Sequence, residues 1–600
     1  MSSILLVGIN AKFIHTNLAI RTLKANAKEC ESMVQLAEYT INHERQEIFQ
    51  RIYEKKPSVI GFSCYLWNIE YVMSIACDIK KILPEVFIVT GGPEVAYRPE
   101  EIMEKYPAVD LVMVGEGEQT FYDFARRLKA AKEPGEIAFS QISGIVYREG
   151  ERVHRTLPRE AMRMDDLVFP YRDQDIPELE NHILYYESIR GCPFSCSYCL
   201  SSIEKKVRIK SAEKTESELD FFLRHRVRQV KFVDRTFNCN REYAYRIWQY
   251  IGEHDNGVTN FHFEIGGDLL REEDFALLST FRPGLVQFEI GVQSTNGRTI
   301  EAIRRTMDLE HLKRNIARVH KAGNIHQHLD LIAGLPYEDY ESFRLSFNEV
   351  YDMKPDQLQL GFLKVLDGSY MNEVKEKYEI RYSSQPPYEV FSTRWLSYED
   401  VLKLKLIEEM VEVYYNSFQF CAAMAYLKNF FETPFDMYRE LGEYYKEKEL
   451  LERKHSRVNR YEILWKFVTE RVISSEDERE EWREVLTYDL YRRDYVKNPP
   501  SFVRLRDEKI KKAVRDFFDK ECEEPRFIQG YEGYVTKQLF HMLYMNCFCV
   551  DMETLLQQGV CKKRRQTYFL FDYQKRNPLD HSAQVIEIPD SALAVTGMLA

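Results

Sequence analysis

Six hundred residues exceed what one hydrophobic core organises and point to about three or four domains. Hydrophobic residues make up 44% and charged residues 30%, which excludes a disordered chain. The formal net charge of −12 argues against nucleic acid held by bulk charge, and no apolar run reaches the roughly 20 residues that span a bilayer.

The opening MSSILLVGIN has no basic start and no cleavage site, so it reads as a β-strand rather than a secretory leader. The cytoplasm is the expected compartment. Thiols stay reduced there, so the 12 cysteines are expected to be free, metal-bound or buried. Within residues 1–135, short apolar runs alternate with amphipathic stretches. The runs are ILLVGI (4–9), MVQLAEY (33–39), SVIGFSC (58–64), VFIVTG (86–91) and DLVMVG (110–115). Helical spacing between them is seen in Ile69, Val72, Met73, Ala76 and Ile79. The alternation predicts an α/β fold, a doubly wound, Rossmann-like parallel sheet whose ligands sit at the carboxyl ends of its strands.

Those strand ends hold the unusual sequence. SCYLWN carries Ser63, Tyr65 and Asn68; GGPE carries Gly91, Gly92, Pro93 and Glu94; GEGE carries Gly115, Glu116, Gly117 and Glu118. Paired glycines admit a ligand close to the backbone, and proline stiffens the turn. A plain turn explains any one loop, but three on one sheet edge point to a binding site. Residues 136–182 read as a connector, with SGIVYREGERVHR predicting a hairpin at Glu149–Gly150 and a polar, proline-punctuated segment at 158–182.

Residues 183–384 read as six βα units, with strands near 184–190, 229–234, 260–265, 285–292, 326–332 and 357–363. That pattern predicts a partial (β/α)6 barrel related to the eight-stranded form. The first strand, YYESIRG (185–191), runs into RGCPFSCSYCLSS, which puts Cys192, Cys196 and Cys199 inside eight positions. Cysteine thiolates bind zinc or iron–sulfur clusters. A structural zinc site needs four ligands, whereas a 4Fe–4S cluster on three cysteines leaves one iron open. A coincidental cluster or a partial zinc site is the alternative. Strand parity adds a second signal: His262 with Glu264, Gln287 with Glu289, Gly291 and Gln293, and His326 with His328 and Asp330 each share a face opposite an apolar one. A lumen lined this way is polar and implies a bound polar ligand or water.

The spacing Cys-x3-Cys-x2-Cys, with Tyr198 before the last cysteine, is the signature of the radical S-adenosylmethionine (SAM) superfamily. The strand-end loops of residues 1–135 resemble the cobalamin-binding domain fused to some of its members. In that family the GGPE-like and GEGE-like loops surround the nucleotide tail and lower face of the corrin. No Asp-x-His-x-x-Gly occurs in the chain, so a lower cobalt ligand from such a histidine is not expected. FEI with Glu264, GVQS with Gln293 and Ser294, IRRTM with Arg305, and DLIAGLP with Asp330 resemble the SAM-binding set of anaerobic coproporphyrinogen oxidase and related enzymes. The analogy implies Glu264 and Asp330 at the ribose, Gln293 and Arg305 at the methionine carboxylate, and Tyr198 beside adenine. The usual Gly-Gly-Glu after the second strand is replaced by DRTFN (234–238), as in the cobalamin-fused subgroup.

Residues 385–600 change character, with long aromatic and charged helical patterns such as VLKLKLIEEMVEVYYNSF (401–418) and short strands expected within 570–590. The region resembles the C-terminal domain of unknown function of one cobalamin-binding radical SAM subgroup, and is expected to be helical and to cover the barrel mouth. Cys547, Cys549 and Cys561 are candidates for a second cluster, with buried free thiols as the alternative, and KKRRQ (562–566) reads as a solvated turn.

Together the resemblance implies an enzyme that uses a 4Fe–4S cluster, SAM and cobalamin. SAM would be cleaved to a 5′-deoxyadenosyl radical, and a methyl group transferred to an unactivated carbon of an unknown substrate. A reductant protein such as a flavodoxin or ferredoxin would serve it; neither a membrane nor nucleic acid is an expected partner. A radical rearrangement or redox outcome without methylation, a tRNA methylthiotransferase-like enzyme and a non-enzymatic cobalamin or redox sensor are the alternatives. The methylthiotransferase reading needs N-terminal cluster cysteines and a basic tail, but Cys30, Cys64 and Cys77 are expected on a helix, a strand and a helix, and the tail is not strongly basic.

Overall fold

A computed structural model describes residues 3–131, 133–504 and 508–593. It divides into two compact units, Met1–Ser342 with Gly361–Tyr398, and Phe343–Leu360 with Glu399–Ala600.

The first unit opens with β1 (Ile4–Asn10), β2 (Val34–Thr40), β3 (Val59–Ser63), β4 (Phe87–Gly91) and β5 (Leu111–Met113), paired in parallel in the order β2-β1-β3-β4-β5. Every residue of β1 and β3 is buried, because helices cover both faces of the sheet. Ile48, Ile52, Val72, Ala76 and Ile79 pack on one face, and Ile20, Phe121, Phe124 and Leu128 on the other. Helix Ile69–Ile82 buries the residues its spacing predicts.

The expected hairpin forms from β6 (Ile145–Glu149) and β7 (Arg152–Arg155), turning through Gly150 at φ +60°. It is not part of a connector. β6 pairs antiparallel with β5, and Ile145, Val146 and Tyr147 are buried, so the hairpin extends the N-terminal sheet to residue 155.

β8 (Leu184–Tyr186) begins the second sheet. The expected continuous strand over 184–190 breaks after Tyr186. The backbone N–H groups of Ser188 and Ile189 donate to buried Asp234 Oδ1 at 2.8 and 2.9 Å instead of to a ladder. β9 (Ile189–Arg190) then pairs antiparallel with β10 (Arg208–Ile209). With β11 (Gln229–Phe232), β12 (Asn260–Glu264), β13 (Val286–Gln293), β14 (His326–Ala333) and β15 (Gln357–Phe362), the order is β8-β11-β12-β13-β14-β15, an open six-stranded barrel sheet. The expected parity holds. Phe261, Phe263 and Phe288 are buried on the outer face, where Trp248 of helix Arg241–Glu253 meets Phe263 and Phe288 at 6.3 and 5.6 Å between ring centroids. β16 (Arg381–Tyr382) and β17 (Val390–Ser392) form a small antiparallel pair.

The second unit contains helices Arg457–Arg471, Glu476–Arg493 and Glu508–Glu523 among others, and a three-stranded antiparallel sheet of β18 (Leu543–Val550), β19 (Lys563–Arg576) and β20 (Ala583–Ile588). The expectation of short strands within 570–590 misses β18 entirely and the first half of β19. Met545, Tyr568, Leu570 and Ile588 supply sheet residues to one core with Phe517 and Phe518. KKRRQ is not a turn: its backbone from Lys563 onward belongs to β19, whose pairing with β18 reaches Val550. Among the described residues no helix is long and apolar enough to cross a membrane.

Candidate active site and cofactor cavities

The cysteine loop leaves β9 through Gly191, at φ +86°, where a Cβ would lie 2.6 Å from the Lys206 carbonyl oxygen. Only glycine fits there. The loop is tied at several backbone points: Cys192 N to Glu204 O at 3.1 Å, Ser197 N to Ile303 O at 2.9 Å, and Met371 N to Ser197 O at 2.7 Å. Cys192 and Cys196 are buried, and Cys199 is half-buried. Burial pushes the Cys196 thiol up, and the Arg305 guanidinium opposes the shift.

Arg305 lies past helix Gly297–Ala302 in an irregular turn. Its Nη1 is 3.7 Å from Cys196 Sγ and 3.5 Å from Tyr198 Oη, and its Nη2 donates to the Gly291 carbonyl. Gln293 stands beside that carbonyl at a register shift of β13, with φ +72°. Tyr198, Gln293 and Arg305 therefore gather at the cysteine loop. Ser294 does not join them. It is fully buried, donates to Glu338 Oε1 at 2.6 Å, and accepts from Asn296 N at 3.0 Å.

Glu264 and Asp330 sit on the inner face. Burial raises both carboxyls; Arg235, at 3.4 Å, opposes this at Glu264, and His328, at 3.0 Å, opposes it at Asp330. On the same inner face, Glu289 Oε2 lies 2.8 Å from Lys231 Nζ and 3.0 Å from His262 Nε2. Burial works against its ionisation, but His262 and Lys231 outweigh it and hold Glu289 well below the usual carboxylate range. Lys231 and Arg235 escaped the sequence reading. Lys231 continues the inner face that parity assigns on β12 and β13, a signal that was available.

Two cavities adjoin the N-terminal strand ends. One, of about 170 Å³, is walled by Leu6, Gly61, Val89 and Met113 from the strands and by Leu23 and Phe121 from the helices, with Ser63, Tyr65, Gly91, Gly92, Gly115, Gly117 and Glu118 at its rim. The other, of about 460 Å³, is shared by the two sheets: Asn10 from the end of β1 and His15, Tyr65 and Trp67 from N-terminal loops, and Tyr185, Arg190 and Arg235 from the barrel side. Tyr65 and Trp67 stack at 4.6 Å, and the indole N–H donates to Ile9 O.

Several predicted loop residues are internal ties. Asn68 is buried; its amide donates to Ile9 O and Ser63 O, each at 2.9 Å, and its oxygen accepts from Tyr65 N. A Cβ on Gly92, at φ +109°, would lie 2.5 Å from Cys64 O, so this glycine serves loop packing. Pro93 starts the short helix Pro93–Ala96, and the Glu94 carboxyl, raised by burial, accepts from Tyr388 at 3.0 Å. Glu116 pairs with Arg208 and with Arg190 at 3.4 Å, and Glu118 with Arg190 at 2.5 Å. The two glutamates bind arginines on either side of the cysteine loop. Cys547 and Cys549 lie two residues apart on β18, and Cys561 precedes β19.

The residues suit the implied cofactors. Gln293 Oε1 and Arg305 Nε are buried polar atoms with no hydrogen-bond partner, as expected of groups that meet a polar ligand beside the cluster loop. Thr90 Oγ1, also without a partner, lines the smaller cavity, which suits a partly polar group there.

Three family models match the chain: the B12 binding domain at residues 4–125, the Radical SAM superfamily at 186–350, and Protein of unknown function (DUF4080) at 376–571. The cobalamin-dependent radical SAM methyltransferase TokK of Streptomyces tokunonensis is 29% identical over 363 residues, 56% of this chain and 51% of that one. The 2-(S-pantetheinyl)-carbapenam-3-carboxylate methyltransferase of Streptantibioticus cattleyicolor is 28% identical over 315 residues, 48% and 44% of the two chains. The chain thus spans about half the length of these curated relatives. The cobalamin-dependent SAM radical enzyme OxsB, with aqua-cobalamin and SAM bound, is a solved structure of like fold. Its TM-score is 0.56 over 82% of this chain and 84% of that one, at 16% identity.

Proposed function

We propose that this chain, which belongs to the B12-binding radical SAM proteins carrying a C-terminal DUF4080 domain, is a methyltransferase acting on an unactivated carbon. The observation that carries the reading is the larger cavity. It is lined at once by strand-end loops of the N-terminal sheet and by Arg190, two residues before Cys192. When bound, the cluster and SAM supply one-electron cleavage of a sulfonium to a 5′-deoxyadenosyl radical, and cobalamin supplies a transferable methyl group.

The protein's own part is to hold and enclose. Cys192, Cys196 and Cys199 would ligate the cluster. Tyr198, Glu264, Gln293, Arg305 and Asp330 would surround SAM, and the unpartnered atoms of Gln293 and Arg305 support that role. Ser63, Tyr65, Gly91, Gly115 and Gly117 would border the cobalamin tail. Asn68, Glu94, Glu116, Glu118 and Ser294 would act by fixing the loops. Tyr65 and Trp67, stacked and anchored, would exclude water from the shared cavity. An external flavodoxin or ferredoxin would deliver the electron.

The test is anaerobic reconstitution with iron, sulfide and hydroxocobalamin, then mass spectrometry after adding SAM and a one-electron reductant. Methionine, 5′-deoxyadenosine and S-adenosylhomocysteine are the expected products. 5′-Deoxyadenosine without S-adenosylhomocysteine would replace methyl transfer with a rearrangement or redox reaction. No SAM cleavage by cluster-loaded protein would overturn the enzyme reading.

A further inference from the structure

Arg305 is a cation delivered to the cysteine loop with no described carboxylate paired to it. The turn that carries it also anchors that loop, through Ser197 N to Ile303 O at 2.9 Å. Its Nη1 faces Cys196 Sγ at 3.7 Å and Tyr198 Oη at 3.5 Å, its Nη2 is held by the Gly291 carbonyl, and its Nε is buried and unpartnered. The carbonyl contact matters because it fixes the plane of the guanidinium. The side chain cannot swing off the sulfur without leaving Gly291 O unsatisfied.

This geometry differs from a simple carboxylate clamp. With Nη1 turned to Cys196 and Tyr198 and one Nη2 hydrogen to Gly291 O, Nε and the second Nη2 hydrogen are the donors left over for a SAM carboxylate. The charge, meanwhile, is directed at a sulfur that would be a cluster ligand. Hydrogen bonds to cluster sulfurs and local charge set an iron–sulfur potential, and a cation favours the reduced, more negative state. We infer that Arg305 tunes the cluster, raising its reduction potential through Cys196 in addition to any contact with SAM. The inference rests on the cluster assignment of the proposed function and goes beyond it. The competing role is that of a strut, tying the loop to β13 without affecting electron acceptance.

The experiment is an anaerobic redox titration of the reconstituted full-length protein without SAM, followed by EPR of the reduced cluster. Wild type, Arg305→Gln and Arg305→Lys are compared at equal iron content. At a fixed poised potential near the wild-type midpoint, the ratio of reduced to oxidised cluster should fall at least tenfold in Arg305→Gln, which removes the charge. It should fall at least threefold in Arg305→Lys, whose compact ammonium lacks the planar fork that meets Cys196 Sγ and Gly291 O through two separate nitrogens. If Arg305→Gln assembles no cluster, Arg305→Lys decides alone. An unchanged ratio in the cluster-bearing variants makes Arg305 a strut and overturns the tuning role. A wild-type protein with no 4Fe–4S signal would instead mean that the cluster assignment itself has failed.

Discussion

Arg190 Nη2 lies 2.5 Å from Glu118 Oε1 and joins the GEGE loop of the N-terminal sheet to the strand that feeds Cys192. Glu187 reaches the same nitrogen at 2.8 Å, and both Arg190 and Glu118 are largely hidden from water. Charges this desolvated are costly to leave alone. Arg190→Ala strands the Glu118 carboxylate, and is expected to lower stability by about 3–5 kcal/mol, the range for removing one partner of a buried pair. Denaturant unfolding of the full-length protein, followed by a probe in the N-terminal sheet, should show an earlier transition. An unshifted transition would mean that water reaches the pair freely.

The cysteine loop makes a sharper prediction. Replacing Cys192, Cys196 and Cys199 together by Ala should remove the iron–sulfur absorbance after anaerobic reconstitution. Cys547, Cys549 and Cys561 provide the contrast, since two share a strand and the third lies beyond the next helix. Iron–sulfur absorbance that survives in the triple variant would revive them as ligands.

Cobalamin binding should be visible in the full-length protein as a shift in the spectrum of added hydroxocobalamin. A fragment ending at 135 would lack the β6–β7 hairpin and expose the β5 edge it covers. The cob(II)alamin EPR spectrum should show no histidine nitrogen hyperfine structure. His15 lines the shared cavity, with Nδ1 2.7 Å from Tyr185 Oη. Such hyperfine structure would therefore point to His15 as the cobalt ligand.

Much of the architecture is readable in the chain because it rests on local rules. Period-2 parity exposes the polar face of β12, β13 and β14, and helical spacing exposes the buried stripe of Ile69–Ile82. What fails is the assignment of individual polar side chains to ligands or to ties. Asn68 and Glu118 look alike as strand-end polar residues, yet one locks its own loop and the other meets an arginine 72 positions away. Such pairings depend on how two sheets meet, which no local pattern encodes. β18 was missed for a different reason. LYMNCFCV buries residues on both faces, so the alternation that marks a half-exposed strand is blurred.

Asp234 predicts a pH dependence. Burial raises its carboxyl to about 7, against the opposing hydrogen bonds of Ser188 and Ile189. The native carboxyl therefore keeps its proton between about pH 4 and 7, where the unfolded chain has released it. A raised folded value stabilises the native state below the unfolded pKa, and that stabilisation is lost as pH rises through 7. The total is on the order of 4 kcal/mol. Asp234→Asn keeps an oxygen for the two backbone donors and an N–H for the Ser188 hydroxyl, but cannot titrate. Stability of the parent relative to this variant, measured in urea from pH 4.5 to 8, should decline across that range and then level. A flat difference would show that Asp234 is already ionised in the native protein at pH 4.5.

Gln293 offers the cleanest test of the SAM pocket, because its substitution should leave the cluster alone. Its side-chain oxygen is buried and unpartnered, and the residue stands at the β13 register shift beside the carbonyl that holds Arg305. If the amide meets the charged methionine end of SAM, it makes a hydrogen bond to an ionised group, worth about 1.5–3 kcal/mol. Gln293→Ala should then weaken SAM binding by at least about tenfold. The strained backbone, at φ +72°, is equally demanding of Gln and Ala, so the fold itself gains no reason to change. Iron content and the cluster EPR signal should match wild type, which separates a lost ligand contact from a collapsed loop. Equilibrium binding of SAM to wild type and variant, measured at equal cluster loading, decides the matter. Equal dissociation constants would remove Gln293 from the SAM site and leave its amide as a strut of the strand bulge.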